Sequence, residues 1–332
     1  MHYFKINNRR YTGSKFKLLD WIKNTIEDQT KKSDTFCDLF AGTGCVAEKF
    51  TDKKNLIIND FLYSNNIIYK AFFDSKKFNE KKLIEISKRY LELKTNKISS
   101  NYFDKNFGGK FFSINDAKII GFIRDEINNE NCNNSEKNIL LTSLLYSADK
   151  SANTVGHYDA FRKKIKIKDK FVFKLIEPIK HNSKIQIFRD DANDLVKKIK
   201  CDICYIDPPY NSRQYSRFYH VLENLVQWKK PKLFGEALKP QPENMSEYCK
   251  TKAPEKFQEL INNINSKYIA VSYNNTYNSK SSSSKNKITL EQILSTLKKK
   301  GRTKIFKKKH NYFNAGKTKF DDHQEILFIT KV

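Results

Sequence analysis

The sequence predicts an α/β fold: an open, mostly parallel sheet flanked by helices and interrupted by a helical insertion. Three observations predict it. Residues 34–60 read strand, glycine turn, helix, strand, acid. The same strand-and-helix rhythm resumes after residue 183. Between about 77 and 183 that rhythm is missing, and long helical patterns replace it.

The first strand is predicted at 34–40, "DTFCDLF", running into the turn "AGTG". "CVAEKFTDK" (45–53) reads as the following helix, and "NLIIN" (55–59) as a second strand that ends on Asp60. Within the insertion, "AKIIGFIRDEI" (117–127) and "NILLTSLLYSADKS" (138–151) carry helical periodicity. "NYFDKNFGGKFFS" (101–113) is aromatic and glycine-bearing. Further strands are predicted in "KIQIFRDDANDL" (184–195), "CDICYIDPPY" (201–210) and "KYIAVSYNN" (267–275). The end reads as a hairpin, "RTKIFKKKHNYF" (302–313) against "HQEILFITKV" (323–332), and "NSKSSSSKNK" (278–287) as a low-complexity loop. The expected organisation is one domain from 1–76 and 184–332, with 77–183 inserted as a second. No internal repeat is found.

Composition narrows the function. There are 63 Lys and Arg against 37 Asp and Glu, a net charge of +26. A small-metabolite enzyme has no need of that excess; a polyanion partner, nucleic acid above all, does. A source biased toward lysine would explain part of the excess but not the shortfall of acids. The six cysteines are too scattered for a disulfide framework. Cys201 and Cys204 form a CxxC without a second pair at zinc spacing, inside an apolar run, so they are expected as core residues. No signal-like segment and no run of about 18 apolar residues occurs, so no membrane partner and a cytoplasmic location are expected.

In an open parallel sheet, ligands collect at the carboxyl ends of the strands. Asp38, with Gly42 and Gly44, ends the first strand; Asp60 ends the second; Asp191 lies just past the third; Asp207 ends the fourth. The glycines let backbone approach a ligand closely. Asp60 suits ribose hydroxyls, and Asp191 an adenine amino group. The loop lacks the third glycine of a dinucleotide fingerprint and the lysine of a phosphate loop. Asp38 would repel phosphate and welcome a cation or amine. S-adenosyl-L-methionine combines an amine, a sulfonium, a ribose and an adenine.

"YIDPPYNSRQYSR" (205–217) suits methyl transfer to an exocyclic amine. Acceptors aimed at the amine hydrogens localise its lone pair. Asp207 supplies one, and the carbonyl of Pro208, its direction fixed by Pro208 and Pro209, a second. Tyr210 can stack on the base. Asp207 also offsets positive charge growing on the nitrogen. The base must leave its stack, and Arg213 and Arg217 are placed to hold phosphates meanwhile. From Lys280 to Lys319 the chain has 13 Lys or Arg and one acid, Glu291, so Lys285 and Lys287 are expected on a phosphate-tracking arm. In the insertion, "NYFDKNFGGKFF" and "SANTVGHYDAFRKK" (151–164) suit either groove reading or the small domain's own core, and His157 reads as a polar loop residue. No metal is expected.

Three motifs resemble, in order, those of the Dam-like (D12) class of adenine-N6 DNA methyltransferases. "RRYTGSKFKLLDWI" (9–22) resembles the N-terminal cofactor motif, "DLFAGTG" (38–44) the FxGxG motif, and "DPPY" (207–210) the catalytic motif. The resemblance implies a Rossmann-like class I methyltransferase sheet with a helical target-recognition insertion. It also implies S-adenosyl-L-methionine as cofactor and double-stranded DNA as substrate. A cognate restriction endonuclease becomes a candidate partner. By the same resemblance Tyr11 and Lys15 line the methionine end of the cofactor, Lys15 pairing with its carboxylate. Phe40 packs on the cofactor, Asp60 and Asp191 hold ribose and adenine, and Arg10 faces DNA. RNA adenine, cytosine N4 and a non-catalytic DNA-binding scaffold stay open as alternatives. "VSYNN" (271–275) and "HQEILFI" (323–329) are also like the family's late strands, but are apolar enough to arise as core.

Overall fold

The computed structural model describes residues 3–74, 77–275, 285–309 and 323–332. The helices are α1 (Leu19–Gln29), α2 (Cys45–Glu48), α3 (Tyr63–Phe73), α4 (Glu80–Leu91), α5 (Tyr102–Phe107), α6 (Ile114–Asn129), α7 (Asn134–Ser151), α8 (Ala192–Leu195), α9 (Tyr215–Phe218), α10 (His220–Gln227), α11 (Ala253–Asn263) and α12 (Leu290–Lys300). The strands are β1 (Thr35–Asp38), β2 (Asn55–Asn59), β3 (Ile185–Phe188), β4 (Cys201–Ile206), β5 (Ser266–Asn274), β6 (Arg302–Lys309) and β7 (Gln324–Lys331). The chain forms two compact units. One holds Met1–Gly13, Leu62–Lys180 and Ser216–Glu243; the other holds Ser14–Phe61, His181–Tyr215 and Asn244–Val332.

The second unit contains the sheet, in the order β3-β2-β1-β4-β5-β7-β6. The pairs from β3 to β5 are parallel, and β7 runs antiparallel to both β5 and β6. Central strands are continuous apolar runs because both faces are covered. In β4, Cys201, Ile203, Cys204, Tyr205 and Ile206 are all buried. Leu195 of α8, Leu260 and Ile261 of α11, and Ile293 and Leu297 of α12 pack with Cys37, Ile57, Ile206, Ile269, Val271 and Phe328 from the strands. Thr289 and Gln292 form a capping box that starts α12. Among the described residues β6 pairs only with β7 and exposes all four of its lysines, which discourages further strand pairing at that edge.

The first unit is helical. Its centre is aromatic: Phe103, Phe107, Phe111, Phe112 and Tyr158 are fully buried, with Phe103 4.8 Å from Phe107 and Phe111 5.8 Å from Tyr158. The phenylalanines of 101–113 are therefore core, which decides between the two uses left open for them. His157 stacks on Phe218 at 4.4 Å. Polar ties join distant segments of this unit. Glu223 of α10 accepts from the Tyr63 and Ser64 amides at 3.0 and 2.7 Å, satisfying the first turn of α3. Arg124 of α6 donates to the Val226 carbonyl at 3.1 Å, and Tyr146 of α7 to that of Ile6 at 2.7 Å.

Most predicted elements form near their expected places. The helix read at 45–53 is shorter, ending at Glu48, because turns take over before the charged Asp52-Lys53-Lys54. The hairpin's first strand ends at Lys309; residues 310–313 and most of the loop at 278–287 lie outside the described residues. Among the described residues no helix is long and apolar enough to cross a membrane.

Candidate active site

Asp38, Asp60 and Asp207 all end strands or follow them directly in the sheet-bearing unit. At the end of β1 the chain turns through Gly42 and Gly44, with φ of 54° and 78°, where a side chain would be strained. The Gly42 amide donates to Asp60 Oδ2 at 3.0 Å, and the Ala41 amide to the Asn59 carbonyl at 2.9 Å. The loop is thus pinned to the end of β2. Asp38 is buried beneath it. Its Oδ2 accepts from the Ala47 amide at 3.1 Å, while its Oδ1 has no partner among the described residues. Burial pushes the Asp38 carboxyl well above the usual range, and the charges of Asp207 and Asp60 push the same way. A cation or amine would relieve all three effects.

β4 lies beside β1, with Tyr205 opposite Asp38, and Asp207 follows its last residue. Here the protein supplies its own cation. The buried Lys15 ammonium lies 3.0 Å from Asp207 Oδ1 and 3.1 Å from Glu325 Oε1 of β7. It also donates to the Tyr210 hydroxyl at 2.5 Å and lies 4.8 Å from that ring's centre. The Tyr210 hydroxyl in turn donates to Asp207 Oδ1. Tyr210 is braced edge-on by Tyr273 at 4.6 Å, and its carbonyl accepts from the Lys287 amide at 2.7 Å. Both contacts to Asp207 therefore fall on Oδ1. The described residues give Oδ2 no partner, and the side chain is 16% exposed. Burial raises the Asp207 carboxyl to about 6, with Lys15 pulling it down and Glu325 pushing it up. The site can hold an ionised carboxylate at neutral pH with one oxygen fixed and the other without a partner among the described residues. Pro208 and Pro209 follow directly.

The remaining predicted residues are placed as follows. Phe40 is half-buried, edge-on to Tyr248 at 5.2 Å. Asp191 caps α8, accepting from the Asn193 amide at 2.9 Å. Lys15, expected at the cofactor's carboxylate, sits between two protein carboxylates. In the helical unit Tyr11 stacks on Tyr219 at 4.8 Å, with the Arg9 guanidinium 5.0 Å from the Tyr11 ring. Arg10 is occupied by the end of α7, paired with Asp149 at 3.6 Å and bonded to the Thr154 carbonyl. Arg217 donates to the Pro240 carbonyl at 2.6 Å. The Arg213 carbonyl accepts from Cys249 Sγ, Lys285 is exposed and Lys287 half-buried. Cys37 joins Cys201 and Cys204 in a buried group whose sulfurs lie within 4.8 Å, packed inside the apolar core.

Sequence reasoning gave no role to Glu325, Ser272, Tyr273 or Arg9. The available signal for Glu325 was an acid inside the apolar run "HQEILFI", since a buried charge requires a partner.

A seven-stranded sheet with helices packed against it and one reversed strand is consistent with the class I methyltransferase fold. The model of the D12 class N6 adenine-specific DNA methyltransferases matches residues 11–278, and the chain belongs to that family. It is 32% identical to the type II methyltransferase M.FokI of Planomicrobium okeanokoites, over 97% of this chain and 52% of that protein. It is 37% identical to the modification methylase StsI of Streptococcus sanguinis, over 80% of this chain and 44% of that protein. Identity to the type II methyltransferase M.NlaIII of Neisseria lactamica is 30%, over 95% of each chain. The chain thus spans about half the length of the first two relatives and nearly all of the third.

Proposed function

We propose that this chain methylates the N6 amine of adenine at a specific DNA sequence, with S-adenosyl-L-methionine as donor, in a restriction–modification system. The observation that carries the reading is the half-committed Asp207: Oδ1 is fastened by Lys15 and Tyr210, and Oδ2 is without a partner among the described residues. The two acceptors, Oδ2 and the Pro208 oxygen, take the two N6 hydrogens and turn the nitrogen lone pair outward. The Asp207 charge opposes the positive charge that grows on N6. Tyr210, its hydroxyl bound to Asp207, offers its ring to the extruded base.

The cofactor supplies a methyl group on a sulfonium centre. The chain's residues fit such a molecule. The unpartnered buried oxygen of Asp38 suits its amine, and the positive-φ turn at Gly42 and Gly44 admits it closely. Asp60 lies beside that turn for the ribose, Asp191 is assigned to the adenine, and Phe40 to packing on the cofactor. Tyr11 is assigned to the methionine end. Lys15 is assigned to Asp207 and Glu325, since two carboxylates already balance its charge.

We assign target recognition to the insertion 77–183, and phosphate contacts to Arg213, Lys285 and Lys287. Arg10 and Arg217, committed to backbone carbonyls, would shape their loops and meet phosphate only with their remaining donors. The matched relatives named as modification methylases and the charge of +26 support duplex DNA as substrate.

The test is to incubate the protein with labelled S-adenosyl-L-methionine and plasmid, digest to nucleosides, and map the label. Label in N6-methyladenine at one recurring sequence is expected. Label in cytosine, in RNA only, or nowhere would overturn the reading.

A further inference from the structure

We infer that Glu325 is a positioning residue of the methyl-transfer site: through the Lys15 ammonium it fixes the Asp207 oxygen that faces away from substrate. This rests on the reading that Asp207 receives the target amine. Glu325 lies on β7, 3% exposed and opposite Asn274 of β5. Its Oε1 accepts from Ser272 Oγ at 2.7 Å and lies 3.1 Å from Lys15 Nζ and 3.5 Å from the Tyr210 hydroxyl. Lys15 is thus held from two strands' ends, by Asp207 after β4 and by Glu325 on β7. Tyr210 bridges the same three groups.

The charge count explains why such a residue is kept. A buried Lys–Asp pair alone is neutral. A second buried carboxylate leaves the cluster at −1, an arrangement that costs stability rather than adding it. A net negative cluster beside an amine that gains positive charge in the transition state lowers that barrier. Glu325 also keeps Lys15 from swinging fully onto Asp207 and occupying Oδ2, because two of the ammonium's three donors are directed to Glu325 and the Tyr210 hydroxyl. The residue does not reach the substrate; it acts through Lys15.

Among the described residues, the titratable and charged groups acting on Asp207 are Lys15, Glu325, Tyr210, Tyr205, Asp38 and Cys45. Of these, Glu325 opposes ionisation of Asp207, and removing its charge lets Asp207 ionise at lower pH.

The experiment compares Glu325→Gln, Glu325→Asp and Asp207→Ala by single-turnover methylation across pH 5–9, with cofactor and DNA affinities measured separately. For Glu325→Gln we expect the rate of methyl transfer to fall roughly 10- to 100-fold, the effect of deleting one charged hydrogen-bonding partner. Both affinities should stay within about threefold, and the acid limb of the rate should move to lower pH. Glu325→Asp should recover part of the rate. A wild-type rate and an unmoved acid limb in Glu325→Gln would overturn the inference. Should Glu325→Gln fail to fold, Ser272→Ala decides: a several-fold loss of rate with the cofactor affinity unchanged supports the inference, and no loss overturns it. Full activity of Asp207→Ala would instead overturn the reading of Asp207 itself, whatever Glu325 does.

Discussion

Asp38 and Asp207 stand at the ends of neighbouring strands, and the sheet treats them in opposite ways. Both are pushed up by burial. At Asp207 the protein answers with the ammonium of Lys15 and the hydroxyl of Tyr210. At Asp38 it offers one backbone amide and, among the described residues, leaves an oxygen without a partner. On the proposed reading, the enclosed carboxylate with its own cation is the one that meets the target amine, and the one without a cation is the one that binds the cofactor's.

The comparison can be broken at either end. Asp207→Ala should cost roughly 3 kcal/mol or more of transition-state stabilisation, a hundredfold loss of rate, while calorimetry finds cofactor binding nearly unchanged. Asp38→Asn should do the reverse. Cofactor affinity should weaken about 10- to 100-fold, the worth of a charged hydrogen bond at a desolvated site, with the saturated rate changed far less. If the two variants show the same split between rate and affinity, the distinction fails.

A pH series sharpens the contrast. The Asp207 carboxyl, raised to about 6, must be ionised to accept an amine hydrogen, so the methylation rate should rise with pH through about 6 and level off above it. Asp38 is raised too, and a bound cation favours its ionised form, so cofactor affinity should also strengthen with rising pH. A rate independent of pH between 5 and 8 would exclude Asp207 as acceptor. The smallest effect belongs to β6, away from both strand ends in sheet order. Lys307→Gln with Lys308→Gln should lower DNA affinity a few-fold and flatten its salt dependence by up to about two counterions, read by titration at several salt concentrations, with cofactor binding untouched.

Much of the frame was legible from the residues. Apolar runs bounded by turns located the strands closely, and β2 occupies the expected residues. The strand-end acids were legible because ligand sites in such sheets lie at one edge. What escaped was pairing at a distance. Glu325 and Lys15 are more than 300 residues apart, and local pattern cannot say that a charge in an apolar run will meet a partner from the opposite end of the chain. The same holds for Glu223, whose task is to cap a helix 160 residues earlier. Arg10 and Arg217 show the same limit from the other side: a position beside the 207–210 motif or in a family-like motif suggests phosphate for a basic residue, and says nothing of the carbonyl groups within the protein that these two also bond.

The three sulfurs of Cys37, Cys201 and Cys204 are sealed within the folded core, where oxidants do not reach them. Unfolding exposes them together with Cys45 and Cys249, and a crosslink between cysteines that are not neighbours in the fold would hold the chain away from it. Refolding of this chain is therefore expected to recover more folded protein in a reducing buffer than in an oxidising one.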